Sequence, residues 1–211
     1  MTQTTSSRLQ SAPTTRRRDK DRTVATLKRA AREQLILEGS TGLSIQPILR
    51  KAGVSRGALF HHFPTKNHLI AAAFADLLDE MEERLRAIGL ALRAGEIDLS
   101  AFVERVRDAY CSDLFVGSME IAIKTRAEPG LRALVDETVD KWYVMLTVFW
   151  KDTFSLPGCD AAEADQHWVM ASTLLRGHAL TSIYRASPEG RRAFCASFER
   201  MILPDAVISP L

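Results

Sequence analysis

The stretch Ser44-Ile45-Gln46-Pro47-Ile48-Leu49-Arg50-Lys51-Ala52-Gly53-Val54-Ser55-Arg56-Gly57-Ala58-Leu59-Phe60-His61-His62-Phe63 constrains this chain more than any other. It reads as a helix, a glycine-centred turn and a second, short helix. Ser44 stands where an N-cap is wanted, ahead of the apolar pair Ile45 and Ile48. Pro47 falls in the first helical turn, where its missing N–H costs little. Leu49 and Ala52 supply the inner face, and Gly53 can take the left-handed conformation that closes a helix. Val54 then plugs the angle between the helices and Ser55 caps the second one. Leu59 and Phe63, four residues apart, anchor that helix to a core. The opposite face shows Arg56, Gly57, Phe60 and His61. This is the pattern of a helix-turn-helix, which sets a helix end into the major groove of DNA.

The charge distribution points the same way. Residues 1–66 hold 13 Lys+Arg against 4 Asp+Glu, a balance of +9, while residues 67–211 hold 15 against 22, a balance of −7. A basic head on an acidic body suits a polyanion-binding module joined to a part that avoids polyanions. Arg is the commonest reader of guanine. Small Gly57 and Ala58 let the backbone approach DNA, helix N-termini favour phosphate, and Lys66 lies just beyond.

Helical periodicity extends along the rest of the chain. Residues 1–22 lack an apolar period and read as a disordered basic arm ending in the cluster Arg16 to Arg22. From Thr23 to Glu38, Leu27, Ala30, Ala31 and Leu35 follow helical spacing, and Gly39 and Gly42 close that helix. After the central motif, Thr65 can cap a helix to about Arg93. Asp98 or Ser100 can cap the next, through about Phe115, and Gly117-Ser118 opens a short one to Arg126. A helix from the Glu128-Pro129-Gly130 break reaches about Phe154. Asp160 caps another to about Arg185, and Ser187-Pro188 starts the last. The reading is all-α, with about nine helices and no convincing strand. It divides into a helix-turn-helix domain over 23–66 and a regulatory ligand-binding and dimerisation domain over 67–211.

The segment Leu27…Ala30-Ala31…Leu35…Gly39, then Ser44-Ile45…Ile48…Ala52-Gly53-Val54-Ser55-Arg56-Gly57-Ala58-Leu59-Phe60-His61-His62-Phe63-Pro64-Thr65-Lys66…Leu69, resembles the N-terminal domain of the TetR (tetracycline-repressor-like) family of transcriptional regulators. The resemblance implies a homodimer whose heads bind a palindromic double-stranded DNA operator, most often as a repressor. A small-molecule effector in the C-terminal domain then releases the DNA. Carried over by position, it puts Gln46, Arg56, Gly57, Phe60 and His61 in the groove, and Ser44, Ala58, His62 and Lys66 at or near phosphates. Ala58 and Phe60 stand where the family often has Thr and Tyr, so two hydroxyls that could meet phosphate are missing. Both can offer only apolar contact, for instance to a thymine methyl.

In the C-terminal part, Trp142, Met145, Phe149 and Trp150 form an apolar stripe. Such a stripe is ordinarily core, but the resemblance places this region beside a ligand cavity. Trp142, Met145 and Phe149, with Phe102, Met119 and His178, are therefore the candidate pocket residues. Trp168, Leu175, Ala179 and Ile183, then Phe194, Phe198 and Met201, would be core in a monomer. The resemblance makes them a four-helix dimer interface formed by the last two helices.

Other classes fit less well. Adjacent His61 and His62 point about 100° apart on a helix and cannot easily share an ion, so no metal and no cofactor are expected. An enzyme of di-iron carboxylate type needs paired Glu-x-x-His motifs, and the nearest approach, Glu163 and His167, is one residue too long and unrepeated. GxSxG, P-loop and HExxH motifs are absent. An activator, or a ligand-independent DNA binder with the same head, shares all these features. Cys111, Cys159 and Cys195 fit no CxxC pattern and suit a reducing cytoplasm. The polar, basic N-terminus lacks the apolar region of a secretory signal, and no membrane span is expected.

Overall fold

A computed structural model of the chain describes residues 15–210. In chain order the elements are α1 (Thr15–Gly42), α2 (Ile45–Ala52), α3 (Arg56–His62), α4 (Lys66–Arg93), α5 (Leu99–Tyr110), α6 (Asp113–Lys124), α7 (Pro129–Thr153), β1 (Phe154–Ser155), α8 (Ala161–Arg185), α9 (Pro188–Ile202) and β2 (Val207–Ile208). The all-α expectation and the number of helices hold for the described residues.

Three expectations change. The helix expected at Thr23 begins at Thr15, so the last part of the supposed arm is helical, and residues 1–14 lie outside the described residues. Once a helix is nucleated, adding a turn costs little. Arg22 and Asp19 pair at 3.4 Å along the added stretch. Gly39, at φ 68° and ψ −179°, interrupts the helical path where the sequence placed its end.

The second change concerns α5 and α6. The break falls at Cys111-Ser112, not at Gly117, because the Ser112 hydroxyl caps α6 by accepting from Phe115 N–H. Gly117 is interior to α6. A Cβ there would lie 3.9 Å from Leu35 and Ile36, so the glycine marks the close approach of α6 to α1 and breaks no helix. Third, Phe154 pairs with Ile208 and Ser155 with Val207 in a short antiparallel ladder that brings the C-terminal segment back to the end of α7.

The caps explain several other boundaries. Asp160 and Glu163 form a reciprocal capping box: Asp160 Oδ1 accepts from the amides of Ala162 and Glu163 at 2.8 and 2.9 Å, and Glu163 Oε2 accepts from Asp160 N–H at 2.9 Å. This is the reciprocal satisfaction of orphan donors at a helix start. Ser187 caps α9 by accepting from Gly190 N–H at 2.9 Å, with Pro188 at the first helical position.

Helix α4 is the spine, packing on α1, α5, α6 and most extensively on α7. Its buried row, including Leu69, Phe74, Leu77, Met81 and Leu85, runs from the helix-turn-helix into the body. Ion pairs Lys28–Asp76 and Arg32–Glu80 bind α1 to α4 beside that seam. Farther along, Phe102, Phe149, Trp150, Phe154, Trp168 and Phe198 form an aromatic core, in which Trp150 and Trp168 stack at 5.3 Å and 4°. Trp150 Nε1 donates to Ser172 Oγ at 2.9 Å, so its one polar group is satisfied while buried.

Candidate nucleic-acid interface

Helix α2 presents Ile48 and Leu49 to the core and leaves Gln46 and Arg50 exposed. At its end Gly53 takes φ 65° and ψ 30°, and its N–H closes onto Leu49 O. A side chain there would be strained by the left-handed backbone even though the space is open. Ser55 then caps α3, its hydroxyl accepting from Ala58 N–H at 3.1 Å. Leu59 is fully buried and Phe63 nearly so; these two anchors fix the rotation of α3 about its axis.

That rotation turns Arg56, Gly57 and His61 outward, with Ala58 and Phe60 half-buried at the margins of the same face. Arg56 stacks its guanidinium 5.5 Å above the Phe60 ring, which aligns the side chain along the helix. Gln46, Arg50, Gly53, Val54 and Arg56 surround an open concavity between the two helices. Arg50 was not singled out from the sequence. The signal was a basic residue in the last turn of α2, on the side facing Gln46 and Arg56.

The residues expected near phosphate are more scattered. Ser44 has the extended backbone of an N-cap but makes no side-chain capping bond, so its exposed hydroxyl is uncommitted. The amide of Ala58 is engaged by Ser55. His62 is half-buried with its Nδ1 unpartnered; burial first, then His61 and Lys20, hold its imidazole below the ordinary histidine range. Lys66 is half-buried at the start of α4. Burial and nearby Lys124 lower its ammonium's pKa, against a smaller opposing effect of Glu128, so it lies toward the end of α6.

The six candidate pocket residues do not line one common cavity in this structure. Trp142 borders a cleft of about 240 Å³ between α4 and α7, with Leu78, Asp79 and Glu82. Met145 and Phe149 border a neighbouring one of about 30 Å³. Phe102 is fully buried in the aromatic core, and Met119 packs half-buried on α6. His178 stacks on Phe194 at 3.7 Å and lies across the α5–α8 junction. A stripe along one helix carries no information about which neighbouring helix covers each turn, and that cover separates these side chains.

Among the described residues no cluster of three or more His, Cys, Asp or Glu is placed to hold a metal, and no helix is long and apolar enough to cross a membrane. Glu163 is engaged in the α8 cap, and the ring of His167 meets Ile202 O at 2.7 Å.

The family profile described as "Bacterial regulatory proteins, tetR family" matches residues 27–73, from within α1 to the second turn of α4. The HTH-type transcriptional regulator CymR of Pseudomonas putida is 28% identical over 152 residues, covering 72% of this chain and 75% of that protein. A transcriptional regulator from Rhodococcus sp. Rha1 shares the fold with a TM-score of 0.65 and 21% identity, over 89% of this chain and 99% of that one. The multidrug binding protein EbrR, in complex with imidazole, superposes with a TM-score of 0.59 and 21% identity, over 85% and 94% of the two chains. With the groove-reading motif, its preceding helix and the helical body all in place, residues 27–73 are a DNA-binding domain of the tetR family of bacterial regulatory proteins, and these likenesses support a DNA-binding transcriptional regulator.

Proposed function

We propose that the protein is a homodimeric repressor, working in the cytoplasm, whose two heads bind a palindromic operator and which a small, largely apolar molecule releases. The observation that carries this reading is the exposed Arg56–Gly57–His61 face of α3, fixed by buried Leu59 and Phe63 and flanked by Gln46 and Arg50. Arg56 is the base-reading residue, Gln46 and His61 are secondary groove contacts, and Phe60 and Ala58 supply apolar contact. Ser44, His62 and Lys66 flank the phosphates. The division of labour is a reading head over 23–66 and a regulatory body over 67–211.

The dimer reading rests on exposed apolar side chains of α8 and α9, among them Met170, Ile183, Tyr184 and Met201. Exposed apolar side chains gathered on two helices suit an interaction face, and two helices from each copy would pack as a four-helix interface. The effector reading draws on the clefts along α7 and on the small-molecule complex of a protein with the same fold.

The direct test is an electrophoretic mobility shift with DNA from upstream of the protein's own gene, repeated across a salt series. A repressor of this design gives a sequence-preferring complex of one dimer per site that weakens steeply with salt, because phosphate contacts release counterions. Binding indifferent to sequence, or insensitive to salt, overturns the reading.

A further inference from the structure

A buried hydroxyl sits at the end of α5, against α8. Tyr110 is 1% exposed; among the described residues its hydroxyl has Ser172 as its nearest hydrogen-bonding neighbour, but no bond of full geometry. Burial pushes the phenol up to about 12, against smaller opposing influences of Ser172 and Arg176. Tyr143 adds to the upward push. An orphaned buried hydroxyl is costly, and in a native protein it calls for an explanation such as a missing water or ligand.

Ser172 connects Tyr110 to the surface. Its Oγ accepts from Trp150 Nε1, which leaves the hydroxyl proton of Ser172 to be donated elsewhere. Ser172 also lines a slot between α7 and α8, with Leu146 and Trp168 as apolar walls and Tyr143 and Arg176 at the mouth. Arg176 is half-buried. It donates to Thr173 Oγ1 at 3.0 Å and lies 5.3 Å from the centre of the Tyr143 ring, and among the described residues no carboxylate is within ion-pair distance. The carboxylates of the acidic body lie elsewhere. Here the Arg176 guanidinium and the Ser172 hydroxyl, both capable of donating, meet on an apolar slot, with Tyr110 behind Ser172.

From this placement we infer that the slot between α7 and α8 binds a small organic acid, its carboxylate on Arg176 and Ser172 and its apolar body between Leu146, Trp168 and Tyr143. Arg is the side chain suited to planar, bidentate recognition of a carboxylate. Tyr110 completes the site from behind, donating to Ser172 or to a water carried in with the acid. The slot as it stands has about 10 Å³ of free space, enough for one water, so entry requires Tyr143 to swing away. Tyr143 is about half exposed, and its visible partner is Arg176, which the acid would engage instead. Binding therefore exchanges a cation–π contact for an ion pair and separates α7 from α8.

This inference deepens the effector reading and rests on it for its regulatory meaning, but the binding step is tested on its own. Benzoate and hexanoate are titrated against the full chain by calorimetry and thermal shift, beside benzamide and hexanamide. Saturable binding of an acid, at least tenfold tighter than its amide, is expected. Arg176→Gln should remove that preference. Tyr110→Phe should weaken the acid several-fold while leaving the ligand-free melting temperature equal or higher, because it deletes an unsatisfied hydroxyl. Equal binding of acid and amide, no binding of either, or an Arg176→Gln protein that keeps the preference overturns the proposal. The mobility shift separates the two readings. Acid that binds without releasing DNA leaves the site standing and removes its role as the effector site. Release of DNA by neutral apolar compounds alone keeps the effector reading and removes this one.

Discussion

Arg107 donates from Nε to Nε2 of His178 at 3.2 Å, joining the last turn of α5 to the middle of α8. The acceptor nitrogen must be unprotonated, so the contact holds only while the imidazole is neutral. Ser182 Oγ lies 3.3 Å from the same nitrogen, and the ring stacks on Phe194 of α9. On its other side the Arg107 guanidinium pairs with Asp108 at 2.8 Å, and Asp108 pairs with Arg191 of α9 at 2.8 Å. Three helices thus meet around one neutral histidine.

A pH dependence of stability follows. Burial, and then Arg107, hold His178 below its ordinary value of 6.5. In the unfolded chain the imidazole takes up a proton near that ordinary value, before it does so in the fold. The unfolded state therefore binds more protons in the window between the two values, and stability rises with pH there. Above 6.5 the contribution is complete; as pH falls below it, stability is lost until the lowered folded value is passed. His62 is shifted in the same direction and adds to the slope. Urea midpoints measured from about pH 8 to about pH 5 should fall on the acid side, and His178→Gln should flatten that fall. An unchanged slope in the variant would remove His178 from the account.

Arg56 lies exposed over Phe60 with no carboxylate partner among the described residues. Arg56→Ala should cost about 1–3 kcal/mol of operator affinity and relax the preference at one base pair per half-site. Competition shifts with operators altered one position at a time read this directly. A uniform loss across all sequences would instead make Arg56 a phosphate contact. Arg50→Ala, tested beside it, distinguishes the two basic residues that rim the same concavity.

The helix-turn-helix was legible because its determinants are local. Ser55, Gly53 and Leu59 act within one turn of their own position, and a capping residue or a left-handed glycine keeps its meaning wherever the segment is placed. Asp160 as a cap and Ser187 with Pro188 were legible for the same reason; the reciprocal bond from Glu163 was not read. What the sequence hid was decided between distant segments. Gly117 looks like a breaker until α1 is seen against it, and Phe154 pairs with Ile208 across more than fifty intervening residues. The spread of the candidate pocket residues over several places was hidden on the same ground. Phe102 and Trp142 have the same apolar character, yet one fills the aromatic core and the other borders a cleft.

Two glycines, one packed between α4 and α7 and one in open space, carry opposite expectations. A Cβ on Gly89 would lie 2.8 Å from Thr153 Oγ1 and 3.2 Å from Phe149. Neither can easily retreat, since both are buried and Thr153 donates to Phe149 O at 2.7 Å. Overpacking of about 1–3 kcal/mol outweighs the helix-propensity gain of about 1 kcal/mol, so Gly89→Ala should destabilise. Gly130 is exposed in the first turn of α7 with nothing near the added carbon. Gly130→Ala should stabilise by about 0.4–1 kcal/mol, chiefly through the unfolded chain. Denaturant midpoints at constant slope measure both, and a gain in stability for Gly89→Ala would contradict the packing argument.

Ile183 is 55% exposed and its neighbour Tyr184 is 87% exposed, on the last two turns of α8. A monomer gains nothing by displaying them, whereas a second copy packed on α8 and α9 would remove both from water. A charge at Ile183 tests this with little risk to the fold, because the side chain is not among the buried residues of α8. Ile183→Asp should leave helicity and the thermal midpoint at low protein concentration nearly unchanged. Sedimentation should then report a monomer where the parent is a dimer. Operator affinity should fall steeply as well, since one head captures only half of a palindromic site, and linked heads gain their avidity from being joined. A variant that sediments as a dimer would move the interface away from this end of α8. A monomer that still binds the full operator with parental affinity would remove dimerisation from the DNA-binding mechanism.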